Sequence, residues 1–394
     1  ITTNARRTMT QIRKHILCNI YVMLAFLGPV LFICACTNKP KPNQEKENTE
    51  TDTVNMKYAR LLSIVHHTHY TEVHIANPWK QGQLLHKYYL ISRTDSANVS
   101  LSPTDGNVIY TPVKRSVVAL SSICQLAVWL QAEQQIKGAC DCQYINIPAI
   151  KQLLNSNVIA NCGNSMQPSI ESIVNLKADA LFISPFEGAD YSRIAQTGIP
   201  IIECAEYMEN TALGRAEWIK LYALLFGKEK AGNALFETVE SNYKQIKNEA
   251  HKTTTRPGVL TEKVTSGTWY CPGGESTMAS MIADANGHYL FADDSHSGSL
   301  PLAPETVVSK GQQADVWFFI TMGTTPQTKS QLLAEYHGYA AIKALNDGNA
   351  YQCPNASSPY FDELSFRPDY LLQDLAWMFH PELRKGSALR YFKQ

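Results

Sequence analysis

The chain has 394 residues, of which 35 are basic and 35 are acidic, so its formal net charge is zero. This balance argues against nucleic acid or a strongly acidic molecule as the partner. The length allows two ordinary domains. A hydrophobic content of 44% with six tryptophans excludes a disordered protein.

The first 36 residues are predicted to be an export signal. A basic segment after Met9 precedes an apolar run over residues 16–33, which ends at the sequence Ile33-Cys34-Ala35-Cys36. An aliphatic residue three positions before a cysteine and a small residue directly before it resemble the bacterial lipobox, so we expect Cys36 to be lipidated. The alternative is an uncleaved transmembrane anchor, since 18 apolar-leaning residues can just span a bilayer. With either anchor we expect the rest of the chain in the periplasm, held on a bacterial membrane.

The segment after Cys36 is predicted to be a disordered tether over residues 37–57. Its residues 37–55 include no aromatic and almost no aliphatic side chain. Such a stretch cannot bury enough apolar surface to offset the entropy lost on ordering. We expect it to hold the folded part of the protein away from the membrane.

A small β-rich preface is predicted over residues 58–110. Strands at 72–76 and 88–92 alternate with turn signals such as Asn77-Pro78. Four histidines cluster in this segment, but no acidic or cysteine partner stands at a spacing typical of a metal site. We therefore predict no metal ligands here; the four are His66, His67, His69 and His74.

Seven of the ten cysteines remain once Cys18, Cys34 and Cys36 are assigned to the signal and the anchor. Because seven is odd, at least one is unpaired or pairs between chains. No CxxC pair occurs, which argues against a structural zinc site. Several of these cysteines lie in apolar, strand-like runs, and we expect them to act as small core hydrophobes.

Strands alternate with helices from Pro112 onwards, which is typical of an α/β lobe. A strand at 116–120 leads into a helix starting at Ser121, and a helix at 168–177 leads into a strand at 178–184. With the preface, residues 58–209 are predicted to form the N-terminal lobe.

A helix of about four turns is predicted over residues 210–227. Thr211 can cap its start and Gly227 can close its end. Its side chains are apolar on most sides, and such a helix is covered on most sides. We interpret it as a stiff spacer between two lobes, and an ordinary core helix of a single domain is the alternative.

The C-terminal lobe is predicted over residues 228–394, and part of it repeats a sequence pattern of the first lobe. In the first lobe, Pro168 and Glu171 open an apolar helix that leads to an Ala-Asp pair and a buried strand. In the second, Pro304 and Glu305 do the same before Ala314-Asp315 and another buried strand. The pattern predicts an α/β fold of two Rossmann-like lobes joined by one long rigid helix, with a ligand cleft between the lobes.

Three segments, in this order, resemble a helix-strand motif, its second-lobe counterpart and the closing helix of class III periplasmic substrate-binding proteins. They are PSIESIVNLKADALFIS, PLAPETVVSKGQQADVWFFI and RPDYLLQDLAWMFHPEL. That family serves ABC importers of iron-siderophore complexes, haem and cobalamin. A fourth segment, GTWYCPGGESTMASMIADAN, resembles the second-lobe start of one subgroup. The resemblance covers about residues 112–381.

The resemblance implies a monomeric binding protein with no enzymatic activity and no resident cofactor. It would capture an iron chelate, haem or cobalamin between its lobes and deliver it to an inner-membrane ABC permease. In this family one surface glutamate per lobe docks onto permease arginines, and the matching residues are Glu171 and Glu305. A glutamate near a helix N-terminus is also favoured by the helix dipole alone.

Ligand contacts are expected at strand ends and helix starts that face the cleft. Flat aromatic side chains suit a corrin, porphyrin or catecholate face. We expect Trp269 and Tyr270 to contact the ligand, and the alternative is that they pack in the core. His296 could ligate haem iron, and the alternative is that it lies in a solvated loop. The predicted ligand-binding residues are Ser121, Ser122, Gln143, Tyr144, Phe186, Trp269, Tyr270, His296 and Ser297.

Two other functions stay open. A free zinc or manganese receptor of the same architecture would need several histidines and carboxylates in the cleft, for which His288, His296 and Asp293 or Asp294 offer one side. An adhesion lipoprotein without a ligand is the other. The sequence contains no GxSxG, HExxH or P-loop motif that would indicate an enzyme.

Overall fold

The computed structural model describes residues 52–97, 99 and 101–394. The predicted signal, the lipidated Cys36 and the tether up to residue 51 lie outside the described residues. Within the described part, no helix combines the length and the apolar character needed to cross a membrane.

The first described strands form one sheet in the order β1-β2-β3-β4-β5. Pairing is antiparallel up to β4, and β5 runs parallel to β4. The sheet begins inside the predicted tether, so the prediction of disorder is wrong for residues 52–57. The strands are β1 (Asp52–Thr53), β2 (Leu62–His66), β3 (Thr71–Ala76), β4 (Leu84–Ser92) and β5 (Asn107–Thr111).

The first lobe is built on a parallel sheet in the order β12-β11-β6-β7-β8. Its inner strands are short runs that are buried on both faces, as the four apolar residues of β11 illustrate, whereas the edge strand β8 is partly exposed. The elements are β6 (Ser116–Val118), α1 (Ser121–Trp129), β7 (Ile136–Ala139), α2 (Pro148–Asn155), β8 (Ala160–Asn161), the hairpin β9 (Gly163–Asn164) and β10 (Gln167–Pro168), α3 (Ile170–Asn175), β11 (Ala180–Ile183), α4 (Ser192–Ala195) and β12 (Ile201–Glu203).

The connection between the lobes is helical and comprises α5 (Ala212–Glu217), α6 (Ile219–Phe226) and α7 (Glu229–Ala250). The long helix is α7, with 22 residues. The sequence predicts one continuous helix over 210–227, and this is wrong at Trp218. There the backbone N–H bonds to the carbonyl oxygen of Arg215, three residues back, so the helix tightens and breaks. Gly227 ends α6 in the left-handed conformation, with φ of 65°.

The second lobe repeats the parallel sheet in the order β16-β13-β18-β19 and adds an antiparallel sheet in the order β14-β15-β17. Its elements are β13 (Gly258–Thr261), β14 (Val264–Thr265), β15 (Thr268–Pro272), α8 (Thr277–Asp284), β16 (His288–Tyr289), β17 (Ser299–Leu302), α9 (Pro304–Gly311), β18 (Val316–Thr321), α10 (Lys329–Glu335), α11 (Lys343–Asn346), β19 (Ala350–Pro354), α12 (Tyr360–Glu363), α13 (Pro368–Phe379) and α14 (Pro381–Arg384).

Buried carboxylates on and near α5 hold the chain where it enters the first sheet. Glu217, fully buried, accepts backbone N–H groups from Lys57 at 3.0 Å, Tyr58 at 2.7 Å and Ala59 at 2.9 Å. Glu209 accepts the indole N–H of Trp218 at 3.0 Å, together with two further backbone N–H groups at residues 60 and 61. The N-terminal sheet is thus tied directly to the connection between the lobes.

The seven cysteines of the described chain are free thiols, and all but Cys142 are buried. Burial raises the pKa of Cys140 to about 12 and that of Cys162 to about 11, so both are thiols at neutral pH. The prediction that several cysteines act as small core hydrophobes is confirmed.

Candidate functional site

The candidate site lies where the carboxyl ends of the two parallel sheets come together. Helix α1 starts after β6 in the first lobe, and it packs against α12, which follows β19 in the second. The side-chain amide of Asn146 donates to the carbonyl oxygen of Ala356 at 3.2 Å across the same junction. Ligands of open α/β sheets bind outside the carboxyl ends of the strands, which makes this junction the candidate cleft.

Large apolar side chains stand exposed on both lobes, in loops and in short elements near these strand ends. Tyr144 is 73% exposed and Met322 is 88% exposed, whereas side chains of this kind are usually buried. Phe186 in the first lobe and Tyr270 and Phe361 in the second are about half exposed. A group of exposed apolar side chains around a cleft is typical of a binding surface.

Ser121 and Ser122 lie in the contact between the lobes rather than in open space. Burial raises the pKa of Asp362 in α12, and a hydrogen bond from Ser121 partly opposes that rise. Ser122 is buried. The expected ligand contact of Ser122 is therefore wrong, because its side chain is covered by the packing of α1.

The other predicted residues of the first lobe are accessible. Gln143 and Tyr144 belong to a short 3₁₀ helix, Cys142–Tyr144, and both are exposed. Phe186 lines a pocket of about 120 Å³ together with Ala119 and Ser184, which follow β6 and β11. The side chains of Gln143, Tyr144 and Phe186 are therefore not covered by the packing between the lobes.

Trp269 does not face the cleft. Its side chain is fully buried, its indole N–H donates to the carbonyl oxygen of Thr261 at 3.0 Å, and its ring lies 5.6 Å from that of Tyr339. The expectation of a cleft position is wrong for Trp269, because successive side chains of a strand point to opposite faces. Tyr270, the next residue of β15, is on the exposed face.

His296 and Ser297 lie in one loop of the second lobe with different surroundings. The imidazole of His296 is exposed, with Nδ1 3.1 Å from the carboxylate of Asp294. Ser297 lines a cavity of about 260 Å³ that also includes Arg215 of α5. Among residues 52–394 as far as they are described, no group of three or more His, Cys, Asp or Glu side chains is arranged to hold a metal ion.

Two charged residues of this region are absent from the predicted set. Arg215 appears in the sequence only as a polar residue on a mostly apolar helix, and only the fold brings it to the cavity. Glu262 follows β13 with φ of 60°, a conformation that is uncommon outside glycine and concentrates at functional sites. Burial raises its pKa to about 7. The apolar pattern around Glu262 predicts a strand that continues to residue 264. The sequence therefore does not indicate that the strand ends before Glu262.

Glu171 and Glu305 occupy equivalent, exposed positions on the two lobes. Each lies in the first turn of its helix, α3 or α9. The hydroxyl of Tyr336 lies 3.3 Å from a carboxylate oxygen of Glu305. Helix α3 starts two residues later than predicted, because Ser169 caps it by accepting the backbone N–H of Ser172.

A model of the periplasmic binding protein family matches residues 144–356, which is more than half of the chain. An uncharacterized lipoprotein of Methanocaldococcus jannaschii is 30% identical over 248 residues, which are 62% of this chain and 58% of that relative. The chain thus spans less than two thirds of the length of this relative.

Solved structures share the fold at low sequence identity. The periplasmic haem-binding protein RhuT from Roseiflexus sp. RS-1 has a TM-score of 0.56 at 21% identity, over 68% of this chain and 98% of that one. The periplasmic vitamin B12 binding protein BtuF of Vibrio cholerae has a TM-score of 0.51 at 12% identity, over 70% and 99% of the two chains. At such identities the likeness concerns the fold alone, which is the two-lobed α/β architecture with a cleft between the lobes.

Proposed function

Because this chain belongs to the periplasmic binding protein family, we propose that it captures a metal chelate between its lobes and delivers it to an inner-membrane ABC permease. The chelate is an iron-siderophore complex, haem or cobalamin. The exposed apolar side chains at the junction of the two lobes carry this proposal, with Tyr144 and Phe186 on one side and Met322 and Phe361 on the other. Ligand pockets are lined mainly by apolar and aromatic side chains, and a flat chelate offers the matching surface.

The protein acts as a lipid-anchored monomer without enzymatic activity. The lipoprotein relative supports an anchor at Cys36. Glu171 and Glu305 stand exposed on separate lobes, which suits them to dock onto two permease subunits at once. The bound chelate is cargo rather than a cofactor.

A spectroscopic titration of the purified chain tests the proposal. We expect haem, cobalamin, a ferric hydroxamate or a ferric catecholate to bind one to one with a change in visible absorbance. Tyr144→Ala and Phe361→Ala should each weaken that binding about tenfold, since a well-packed aromatic contact contributes on the order of 1–2 kcal/mol. Tyr110→Ala is the matched control, because Tyr110 is similarly exposed but lies on β5 of the N-terminal sheet.

Two results would contradict the proposal. The first is that no chelate binds while elemental analysis finds stoichiometric zinc or manganese, which would indicate a free-ion receptor. The second is that Tyr110→Ala weakens chelate binding as much as the cleft variants do, which would move the site to the N-terminal sheet.

A further inference from the structure

A cavity of about 260 Å³ lies between α5 of the connection and the second lobe. This volume is below the usual range of about 300–1,000 Å³ for a pocket that holds a whole ligand. The cavity therefore suits one substituent of a larger molecule. Residues from four parts of the chain line it, among them Arg215, Ser276, Thr277, Ser297, Ser299 and Leu364. Leu364 directly follows α12, so the cavity opens beside the junction of the lobes.

Tight backbone packing fixes the wall of this cavity. A Cβ atom on Gly273 would lie 2.0 Å from the carbonyl oxygen of His296, and one on Gly274 would lie 2.2 Å from that of Asp294. The N–H of Gly273 also donates to the carbonyl oxygen of Gly298 at 2.8 Å. The two consecutive glycines thus allow the loop at 294–299 to lie directly against the turn before α8, which holds the lining in place without a ligand.

Arg215 brings a charge to the cavity that is not part of a direct ion pair. Its Nε donates to the carbonyl oxygen of Glu209 at 3.2 Å, and in the described chain no carboxylate oxygen lies within 4.0 Å of the guanidinium to form an ion pair. The carboxylates of Glu206 and Glu209 accept hydrogen bonds from the hydroxyl of Tyr222 and from backbone N–H groups, and their charges favour the charged form of Arg215 without forming an ion pair with it. Burial lowers the pKa of Arg215, which reflects the cost of keeping this charge away from water.

Further hydrogen-bond donors line the same cavity as the guanidinium. In the described residues, the exposed side-chain hydroxyls of Ser297 and Ser299 have no hydrogen-bond partner within the protein. At the start of α8 the N–H groups of Thr277 and Met278 are unpaired, whereas that of Ala279 donates to the side chain of the capping residue Ser276. The lining therefore offers a planar cation and several donors, which is the arrangement that a carboxylate accepts best.

We infer that this cavity binds a peripheral carboxylate of the chelate and so selects chelates that carry one. The inference rests on the proposed function and names the class of ligand: a macrocycle or siderophore with free carboxylates, as against a neutral or fully amidated chelate. The guanidinium of Arg215 pairs with the carboxylate through two N–H groups, while Ser297 and Ser299 hydrogen-bond to its oxygens. The remaining body of the chelate lies against the exposed aromatic side chains of the cleft.

Chelates that differ only in their carboxylates test this inference. We expect haem to bind to the purified chain at least about tenfold more tightly than haem dimethyl ester, in which both carboxylates are esterified. If the natural chelate is a siderophore, the same preference should appear for a ferric carboxylate siderophore over its methyl ester. The factor follows from charge-assisted hydrogen bonds, which contribute about 1.5–3 kcal/mol each, so that a single one gives roughly tenfold.

Variants separate the guanidinium from general effects on folding. Arg215→Gln should remove the preference for the free acid and leave the binding of the ester unchanged. Arg193→Gln, an exposed arginine of α4, is the control and should keep the preference. Ser297→Ala should reduce the preference by a smaller factor. Because the measured quantity is the ratio of two affinities for one preparation, a partly unfolded variant does not imitate the effect.

The outcomes distinguish this inference from the proposed function. Binding of esters or carboxylate-free chelates as tightly as free acids, or an unchanged preference in Arg215→Gln, overturns the carboxylate site and leaves the chelate receptor in place. Failure of every chelate to bind overturns the proposed function, and the inference with it.

Discussion

The carboxylate of Glu217 is the side chain that joins the N-terminal segment to the connection between the lobes. A buried charge is tolerated only when donors surround it, and Glu217 has three backbone N–H groups and the ammonium of Lys220 at 2.7 Å. Burial raises the pKa of Glu217, but these hydrogen bonds outweigh burial and hold the pKa below its usual value. The folded state therefore favours the ionised form.

We predict that Glu217→Gln lowers the free energy of unfolding at pH 7 by about 2 kcal/mol, since hydrogen bonds to a charged group contribute roughly 1.5–3 kcal/mol. Because the pKa is lower in the folded state, the contribution is complete above the unfolded pKa and is lost as pH falls through the folded pKa. Urea unfolding at pH 7 and at pH 3 measures the difference. Glu237→Gln, exposed on α7, is the control. A difference that stays constant between the two pH values would contradict the prediction.

Trp269 and Tyr270 are neighbours in β15 with opposite surroundings, and their variants should behave in opposite ways. Trp269→Ala should lower the free energy of unfolding by about 3–5 kcal/mol, the usual cost of removing a buried tryptophan. Tyr270→Ala should leave the melting temperature unchanged and weaken chelate binding. Thermal unfolding and the spectroscopic titration on both variants check this. If the Trp269→Ala variant keeps its stability but binds the chelate more weakly, Trp269 faces the cleft after all.

At the scale of elements, the sequence predicts the parallel-sheet core well. Helix α9 starts at Pro304 as predicted, because proline fits the first turn of a helix. Strand β11 can be predicted from its own apolar run, without knowing which strands pair with it. The antiparallel sheet of β14, β15 and β17 is missed, because β17 lies about 30 residues beyond β15 and no local pattern links them.

The connection between the lobes depends on close contact between α6 and α7. A Cβ atom on Gly232 would lie 2.2 Å from the Cβ of Ala223, so only glycine allows the two helices to approach this closely. The contact is formed immediately after the turn at Gly227, and the buried faces of α6 lie against the start of the long helix.

We predict that Gly232→Ala lowers the free energy of unfolding by about 1–3 kcal/mol, since the added methyl group forces the helices apart. Asn233→Ala is the control on the exposed side of the same helix, where alanine favours the helical conformation. Chemical denaturation of both variants gives the comparison. Equal stability of Gly232→Ala and the unaltered chain would mean that the contact relaxes without cost.

At the scale of the whole molecule, the order of the helix-strand motifs in the sequence predicts the family. The match of the family model over residues 144–356 confirms that prediction. The candidate site was less predictable. Tyr144 and Phe186 are exposed as expected, whereas Trp269 and Ser122 are covered. Strand alternation and packing between the lobes decide such exposures, and neither can be derived from the type of residue alone. Arg215 needed the three-dimensional cavity to be noticed.

The proposed docking to the permease uses one glutamate on each lobe. Glu171→Ala combined with Glu305→Ala should abolish chelate uptake in cells and leave the affinity for the chelate intact, because truncating a charge pair at an interface costs about 2–5 kcal/mol. Uptake of labelled chelate and a titration of the purified variant measure the two quantities. Glu187→Ala, an exposed carboxylate of the first lobe, is the control. Normal uptake by the double variant would contradict docking through these residues.

The central claim is that the ligand lies between the lobes, at the carboxyl ends of both parallel sheets. Hydrogen–deuterium exchange of the purified chain, with and without the chelate that it retains, tests this most directly. We predict slower exchange on both sides of the junction, at residues 184–188 of the first lobe and at residues 321–323 and 355–358 of the second. Exchange in β2 to β4 of the N-terminal sheet should not change. Protection confined to one lobe, or located in the N-terminal sheet, would contradict the account.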